Sequence, residues 1–323
     1  MVSASGREGE RAGICSIRRC HGDAHLGNIV LLAEGPALFD AIEFSDTLTD
    51  IDILYDLAFP LADLVHRGQR RAANVMLNNW LWEMDDPAHY AGCGLLGLFS
   101  GLRAAIRAMV NRDLAYQLKD LAARTQKLNH MAAWLATAAD CVRPVTPRII
   151  AVGGFSGSGK TTLAAGLAPL LAPGPGAARL RSDIERKVMA GVDPLTRLPP
   201  ETYTPEASRQ VYARLMERAR AAAAAGWPVI VDAVFGSEAE RAAIADVARA
   251  AGVPFTGLWL DAPRDVLHAR VAARRGDASD ATGAVVTMQL RNLTPPADWP
   301  RLTADGPPDA IRDRALRLLG GRS

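Results

Sequence analysis

The sequence predicts an α/β protein: a doubly wound parallel sheet over residues 149–323, preceded by a mostly helical segment over residues 1–141. Three observations lead there. Short β-branched runs alternate with helical stretches after residue 148, and a glycine-rich loop follows the first of those runs. Between the two segments, Cys141-Val-Arg-Pro-Val-Thr-Pro-Arg148 breaks the helical pattern with two prolines. Proline removes a backbone donor and pushes the residue before it out of the helical region, so residues 142–148 are expected to be a semi-extended linker.

Before the linker, Leu54, Leu57, Ala58, Leu61 and Leu64 recur at spacings of three and four, as do Leu102, Ile106, Met109 and Val110. That period is helical. After it, strands are expected at 148–153, 178–182, 228–233, 254–260 and 300–304, with helices at 160–171, 205–225, 237–251 and 263–275. Strands and helices alternating at these lengths make βαβ units, whose ligands sit at the carboxyl ends of the strands. A chain of 323 residues suits two cores of about 150 residues each.

Composition narrows the function classes. The 37 basic and 35 acidic residues leave a net charge of +2, so no global field draws nucleic acid or an anionic membrane. No apolar run reaches the roughly 18 residues of a membrane span, and the opening MVSASGREGERAG lacks the apolar segment of a secretory signal. Cys15, Cys20, Cys93 and Cys141 are scattered and read as reduced thiols. The expectation is a cytoplasmic protein without a nucleic-acid or membrane partner; the oligomeric state is open. Only four lysines occur (119, 127, 160 and 187), against 33 arginines.

Gly154-Phe155-Ser156-Gly157-Ser158-Gly159-Lys160-Thr161 matches G-x-x-x-x-G-K-[ST], followed by Thr162 at the opening of a helical run. In such a loop, glycines let backbone N–H groups turn toward phosphate oxygens, and the helix offers its positive end to the same anion. Lys160 would reach the β- and γ-phosphates of ATP, and the Thr161 hydroxyl would ligate Mg²⁺. Asp232 closes the run Val229-Ile-Val-Asp, where a carboxylate can sit near Mg²⁺, or it caps a turn. Asp183 follows Arg179-Leu-Arg-Ser182, where it can serve as general base or as a helix N-cap. Arg270 and Arg274 are four apart on one helical face, as lid arginines for a phosphoryl group or as a solvated basic face.

On GFSGSGKTT, LRSD, VIVDAVF and RVAARRGDASDA, residues 148–320 resemble small P-loop kinases of the gluconate kinase, zeta-toxin and adenylylsulfate kinase type. The resemblance implies phosphoryl transfer from ATP to a small-molecule hydroxyl. It implies Asp183 as base, Mg²⁺ at Thr161, lid arginines at Arg270 and Arg274, and acceptor-binding structure between Gly191 and Thr204.

The second motif is His21-Gly-Asp-Ala-His-Leu-Gly-Asn28. The spacing of His21 and His25 suggests zinc, but Gly22 and Gly27 break a helix and no H-E-x-x-H pattern exists. The stronger reading pairs Asp23, a proton acceptor, with Asn28 as metal ligand and Asp40 in Leu38-Phe-Asp-Ala-Ile-Glu-Phe44 as the second. HGDAHLGN, FDAIEF and DIDILYDLAF resemble the C-terminal lobe of aminoglycoside phosphotransferase-like kinases over about residues 15–140, with Asp52 and Asp56 structural. That resemblance implies Asp23 as base and Asn28 and Asp40 as metal ligands. It also implies a bacterial fusion of such a lobe with a P-loop kinase.

Kinases place their glycine-rich loop and lysine before the catalytic loop. Only 20 residues precede His21 here, without Lys. The first segment is therefore expected to be truncated or a remnant, inactive alone. Two other functions stay open: a regulatory or scaffold NTPase without a phosphoryl acceptor, and a zeta-toxin-like nucleotide-sugar kinase.

Overall fold

The computed structural model describes residues 17–320, so Cys15 and the polar opening stretch lie outside the described residues. The first segment begins with short strands and one helical turn: β1 (Ile17–Arg19), β2 (Ile29–Leu32), β3 (Gly35–Leu38), α1 (Asp46–Thr49) and β4 (Asp50–Asp52). β1 pairs antiparallel with β4, and β2 with β3. Five helices follow: α2 (Ile53–His66), α3 (Arg70–Met84), α4 (Pro87–Gly92), α5 (Leu96–Gln117) and α6 (Leu121–Cys141). Asp52 caps α2 by accepting the Leu54 N–H at 2.7 Å.

After an irregular stretch, the second segment alternates as the sequence predicts. Its strands are β5 (Ile149–Gly154), β6 (Ala178–Arg181), β7 (Val229–Asp232), β8 (Phe255–Asp261) and β9 (Arg301–Thr303). Its helices are α7 (Lys160–Leu167), α8 (Ser182–Met189), α9 (Pro205–Ala224), α10 (Glu238–Ala250), α11 (Arg264–Ala273), α12 (Gly283–Asn292) and α13 (Pro308–Gly320). The strands form one parallel sheet in the order β6-β7-β5-β8-β9. Every residue of β5 and β7 is buried, so both faces of the sheet are covered, as an all-parallel sheet requires. Register sets Asp232 opposite Val152 on one side and Arg181 on the other. The carboxyl ends of β5, β7 and β6 therefore meet.

The first segment packs directly on this sheet. β6 is the edge strand, and α3 runs along it. Asn74 Nδ2 donates to the carbonyls of Pro175 and Ala177, both at 2.9 Å, and Trp82 Nε1 donates to the Arg179 carbonyl at 3.1 Å. Asn78 Oδ1 accepts the Arg179 N–H at 2.6 Å. Further along, Asp85 pairs with Arg214 and Arg218 of α9, and Arg218 pairs with the fully buried Glu185 of α8. Gly94 comes so close to the end of α9 that a Cβ there would lie 2.4 Å from the Ala225 carbonyl oxygen. Apolar residues from both segments form one continuous core, from Leu54 and Leu77 through Cys141 to Val152 and Leu215.

One expectation changes. The continuous stretch Pro87–Gln117 is long and apolar enough, by length and composition, to cross a membrane. Averaging over its Gly, Ala and Leu residues hides its charges; α5 packs on α2 and α6, with Arg103 and Asn111 buried. Asn78→Ala should leave the buried Arg179 N–H without an acceptor and lower stability by about 1–3 kcal/mol, measured by denaturant unfolding.

Candidate functional site

The loop between β5 and α7 is the cradle that the sequence predicts. Gly154, Gly157 and Gly159 have φ of 143°, 86° and 96°, conformations open to glycine and strained for other residues. At Gly157 space is also limiting, because a Cβ would lie 2.6 Å from the Leu267 carbonyl oxygen of α11. Ser156 N–H donates to Oε1 of the buried Gln289 at 2.8 Å, which ties the loop to α12. The Ser158 hydroxyl is buried without a hydrogen-bond partner. Lys160 opens α7, and its Nζ donates to the Phe155 carbonyl at 2.9 Å. Phe155 is buried edge-on against Trp259, and Thr162 lies exposed on the first turn of α7.

Thr161 and Asp232 meet: the hydroxyl donates to the carboxylate at 2.6 Å. Burial raises the Asp232 carboxyl above its ordinary range, while Arg181 and Lys160 oppose that shift. Burial likewise lowers Lys160, opposed by Asp232 and Asp183. Each group depends on the other's charge.

Arg181, which sequence reasoning missed, is the hub. Its Nε lies 3.7 Å from Asp232 Oδ2, its guanidinium lies 3.5 Å from Asp183 Oδ2, and it pairs with Asp277. Asp183 stands in the first turn of α8, whose N-cap position is Arg181, so it does not cap that helix. One lid expectation is modified. α11 ends at Ala273, and Arg274 turns to extended backbone, so Arg270 and Arg274 do not share a helical face. The exposed Arg270 donates to the Ala304 carbonyl at 2.8 Å. Arg274 instead acts electrostatically on both Lys160 and Asp277.

The segment 191–204 is pinned to the stretch after α11. Lys187 Nζ pairs with Asp280 and donates to the Thr196 carbonyl. Asp280 also accepts from Leu198 N–H at 3.1 Å and from the Tyr203 hydroxyl. Only the scarcity of lysine pointed to Lys187. Nothing local pointed to Arg181, Asp277 or Gln289, each of which has a partner 96 or more residues away in the chain.

In the first segment, the loop 21–28 is held from both sides. Asp56 accepts the N–H groups of His21 and Gly22 at 3.1 and 3.0 Å, and Asp63 accepts that of Leu26 at 3.0 Å. The buried Arg103 donates to the Gly22 carbonyl at 3.0 Å and lies 3.8 Å from the Tyr55 ring centre. Asn28 Nδ2 donates to the Asp23 carbonyl at 3.0 Å and to its Oδ2 at 3.3 Å. Asp40 follows the β2–β3 hairpin at φ 61°, exposed, next to Phe39, whose N–H donates to Asn28.

The cradle, the unpartnered Ser158 hydroxyl and the Thr161–Asp232 pair form a donor set that fits a nucleotide's phosphates with a divalent cation.

Residues 149–296 match a family model described as an AAA domain. An uncharacterized protein of Mycobacterium tuberculosis strain H37Rv is 30% identical over 305 residues, covering 92% of this chain, and one from Mycobacterium bovis matches equally. The chain spans 58% of the length of these relatives. Among solved structures, a sugar kinase from Janibacter sp. HTCC2649 is 26% identical, covering 54% of this chain and 95% of its own at a TM-score of 0.40. The Mycobacterium tuberculosis APS kinase CysC, in complex with AMPPNP and APS, is 22% identical, covering 55% and 99% at 0.43.

Two outcomes test the geometry. Gly157→Ala should cost about 1–2 kcal/mol from the left-handed backbone alone, and more from the contact with Leu267, read by thermal unfolding. The second concerns acid. Burial alone would raise Asp277 and Asp280, but Arg181 and the Ser279 N–H hold the first below 3.8, and Lys187, Tyr203 and the Leu198 N–H hold the second there. Their stabilisation is complete above that value and disappears as pH falls through their lowered values. Asp277→Asn and Asp280→Asn should therefore lower stability at about pH 7 and flatten its loss toward about pH 3, measured by denaturant titration.

Proposed function

We propose that the chain is an ATP-dependent phosphotransferase whose second segment moves the γ-phosphoryl group of ATP to a hydroxyl of a small molecule. One observation carries this reading: the Thr161–Asp232 pair beside the cradle, with Asp183 held 3.5 Å from the same arginine that approaches Asp232. ATP would lie with its phosphates on residues 154–162, and Thr161 and Asp232 would hold its Mg²⁺. The cation would supply neutralising charge on the phosphate oxygens.

Asp183 accepts the acceptor's hydroxyl proton as its oxygen forms the new bond to the γ-phosphorus. The bond from that phosphorus to the β,γ-bridging oxygen breaks, and its electron pair leaves with ADP. Lys160 and Arg274 would stabilise the charge on the transferring group. Arg270 supports the lid from outside through Ala304. The acceptor would lie toward segment 191–204, pinned by Lys187 and Asp280.

We read residues 1–141 as a phosphotransferase-like lobe joined by 142–148 to a P-loop unit over 149–323. Asp23 and Asn28 in mutual contact, with Phe39 bonded to Asn28 just before Asp40, support that reading. The lobe does not transfer phosphate alone. The free thiols of Cys20, Cys93 and Cys141 suit the cytoplasm.

A regulatory ATPase is the second reading, favoured by the helix α3 that grips the strand leading to Asp183. The experiment is acceptor-stimulated ADP release across a panel of sugars, nucleosides and aminoglycosides. Lys160→Ala should abolish it, and Asp183→Asn should lower it by about 10²–10⁴-fold with ATP affinity retained. ADP release indifferent to every acceptor and to Asp183→Asn would favour the regulator.

A further inference from the structure

A cleft of about 450 Å³ opens between the loop 25–27 and helices α2, α5 and α6. That volume suits a small ligand. Its walls carry His25, His66, Arg67, Arg107, Lys127 and His130. The carboxylate in the lining, Asp63, is already engaged by Arg67 Nε at 2.8 Å and by the Leu26 N–H.

Arg107 and Lys127 have no carboxylate within 4.0 Å among the described residues. Arg107 Nε is buried without a hydrogen-bond partner. The cleft therefore holds two uncompensated positive charges in a partly desolvated place, an arrangement that costs free energy until an anion enters.

The imidazoles are set for the same ligand. His66 stacks on Trp134 with ring centres 3.7 Å apart at 6°, and its Nδ1 is 2.9 Å from the Thr137 hydroxyl, which fixes the ring. His25 Nδ1 accepts the Gly27 N–H at 2.9 Å. His66 keeps Nε2 for another partner, while His25 Nε2 lies 3.6 Å from Asp23 Oδ2 just outside the lining. Burial first, then Arg107, holds His25 below its ordinary value; burial, Arg67 and His130 do the same to His66 against the pull of Asp63.

We propose that this cleft is a binding site for a small organic phosphate, distinct from the nucleotide cradle. A phosphate monoester carries about −1.5 to −2 charges at neutral pH, which matches the surplus of Arg107 and Lys127 better than a single carboxylate does. Its oxygens accept from the guanidinium, the ammonium and the imidazole edges, and its carbon part lies toward Trp134. A polycation such as an aminoglycoside meets like charge on these walls and is excluded.

The site makes no use of Lys160, so it is tested in full-length Lys160→Ala protein, which removes the lysine of the cradle. Binding of glucose 6-phosphate, inorganic phosphate, gluconate, glucose and kanamycin is followed by calorimetry. Glucose 6-phosphate and inorganic phosphate should bind through Arg107 and Lys127, gluconate about tenfold more weakly or less, and any binding of glucose or kanamycin should not depend on those two residues. Arg107→Gln with Lys127→Gln should weaken phosphate binding at least about tenfold with the melting temperature unchanged, while Arg107→Lys retains it. Lys127→Gln alone, on the more accessible helix, gives the same direction if the double variant unfolds. Equal affinity in the folded variants, kanamycin binding that Arg107→Gln with Lys127→Gln strengthens or weakens, or no phosphate binding at about 5 mM would each overturn the proposal. None of these outcomes bears on acceptor-stimulated ADP release, which tests the cradle separately.

Discussion

The open edge of β6 decides how the rest of the chain is assembled. The outer backbone groups of an edge strand need partners, and a parallel sheet is buried on both faces, so solvent cannot supply all of them. Helix α3 does so with side chains four residues apart, Asn74, Asn78 and Trp82, which share one face. Asn78 behaves like a missing strand's peptide group, accepting from Arg179 while its Nδ2 faces Ala177. The strand so held delivers Arg181 beside Asp232 and Asp183 just beyond it. The helical segment is thus part of what positions the candidate site, although the site's chemistry lies wholly in the other segment.

Burial then makes charge balance the next constraint. Asp232 is enclosed at the end of a central strand, where an uncompensated carboxylate costs several kcal/mol. Arg181 answers that charge and at the same time approaches Asp183 and Asp277, so one guanidinium links strand, helix and lid. Lys160 and Arg274 bring the positive charge to parity with the three carboxylates.

Strands β5 and β7 were legible as short β-branched runs, the others as short stretches between helical patterns, and the structure reproduces all five within one residue at each end. The cradle was legible because its chemistry is written in consecutive residues. Arg181 was not, since a strand-end arginine acquires its role from Asp232 and Asp277, brought near only by the fold. Arg270 and Arg274 misled for a local reason: spacing of four means one face only while the helix lasts, and α11 stops at Ala273. Helices α12 and α13 were missed because glycine, proline and arginine blur their periodicity. The short exposed strands β1–β4 carry too few residues for a period of two to register.

The four lysines give the composition a structural meaning. Lys160 sits in the cradle, Lys187 is buried on Asp280, Lys127 lines the basic cleft, and Lys119 alone is an ordinary exposed side chain. The exposed ion pairs on helices use arginine instead, as in Arg209–Glu206, Arg249–Asp246 and Arg312–Asp309. Either cation serves on a surface. An ammonium is a compact point charge that can be enclosed by a loop and directed at one phosphate oxygen, whereas a guanidinium is a planar fork with a wider footprint. In this chain the enclosed ammonium groups are those of Lys160, against the Phe155 carbonyl, and Lys187, against Asp280 and the Thr196 carbonyl, so the scarce residue marks both the loop and the contact that pins segment 191–204.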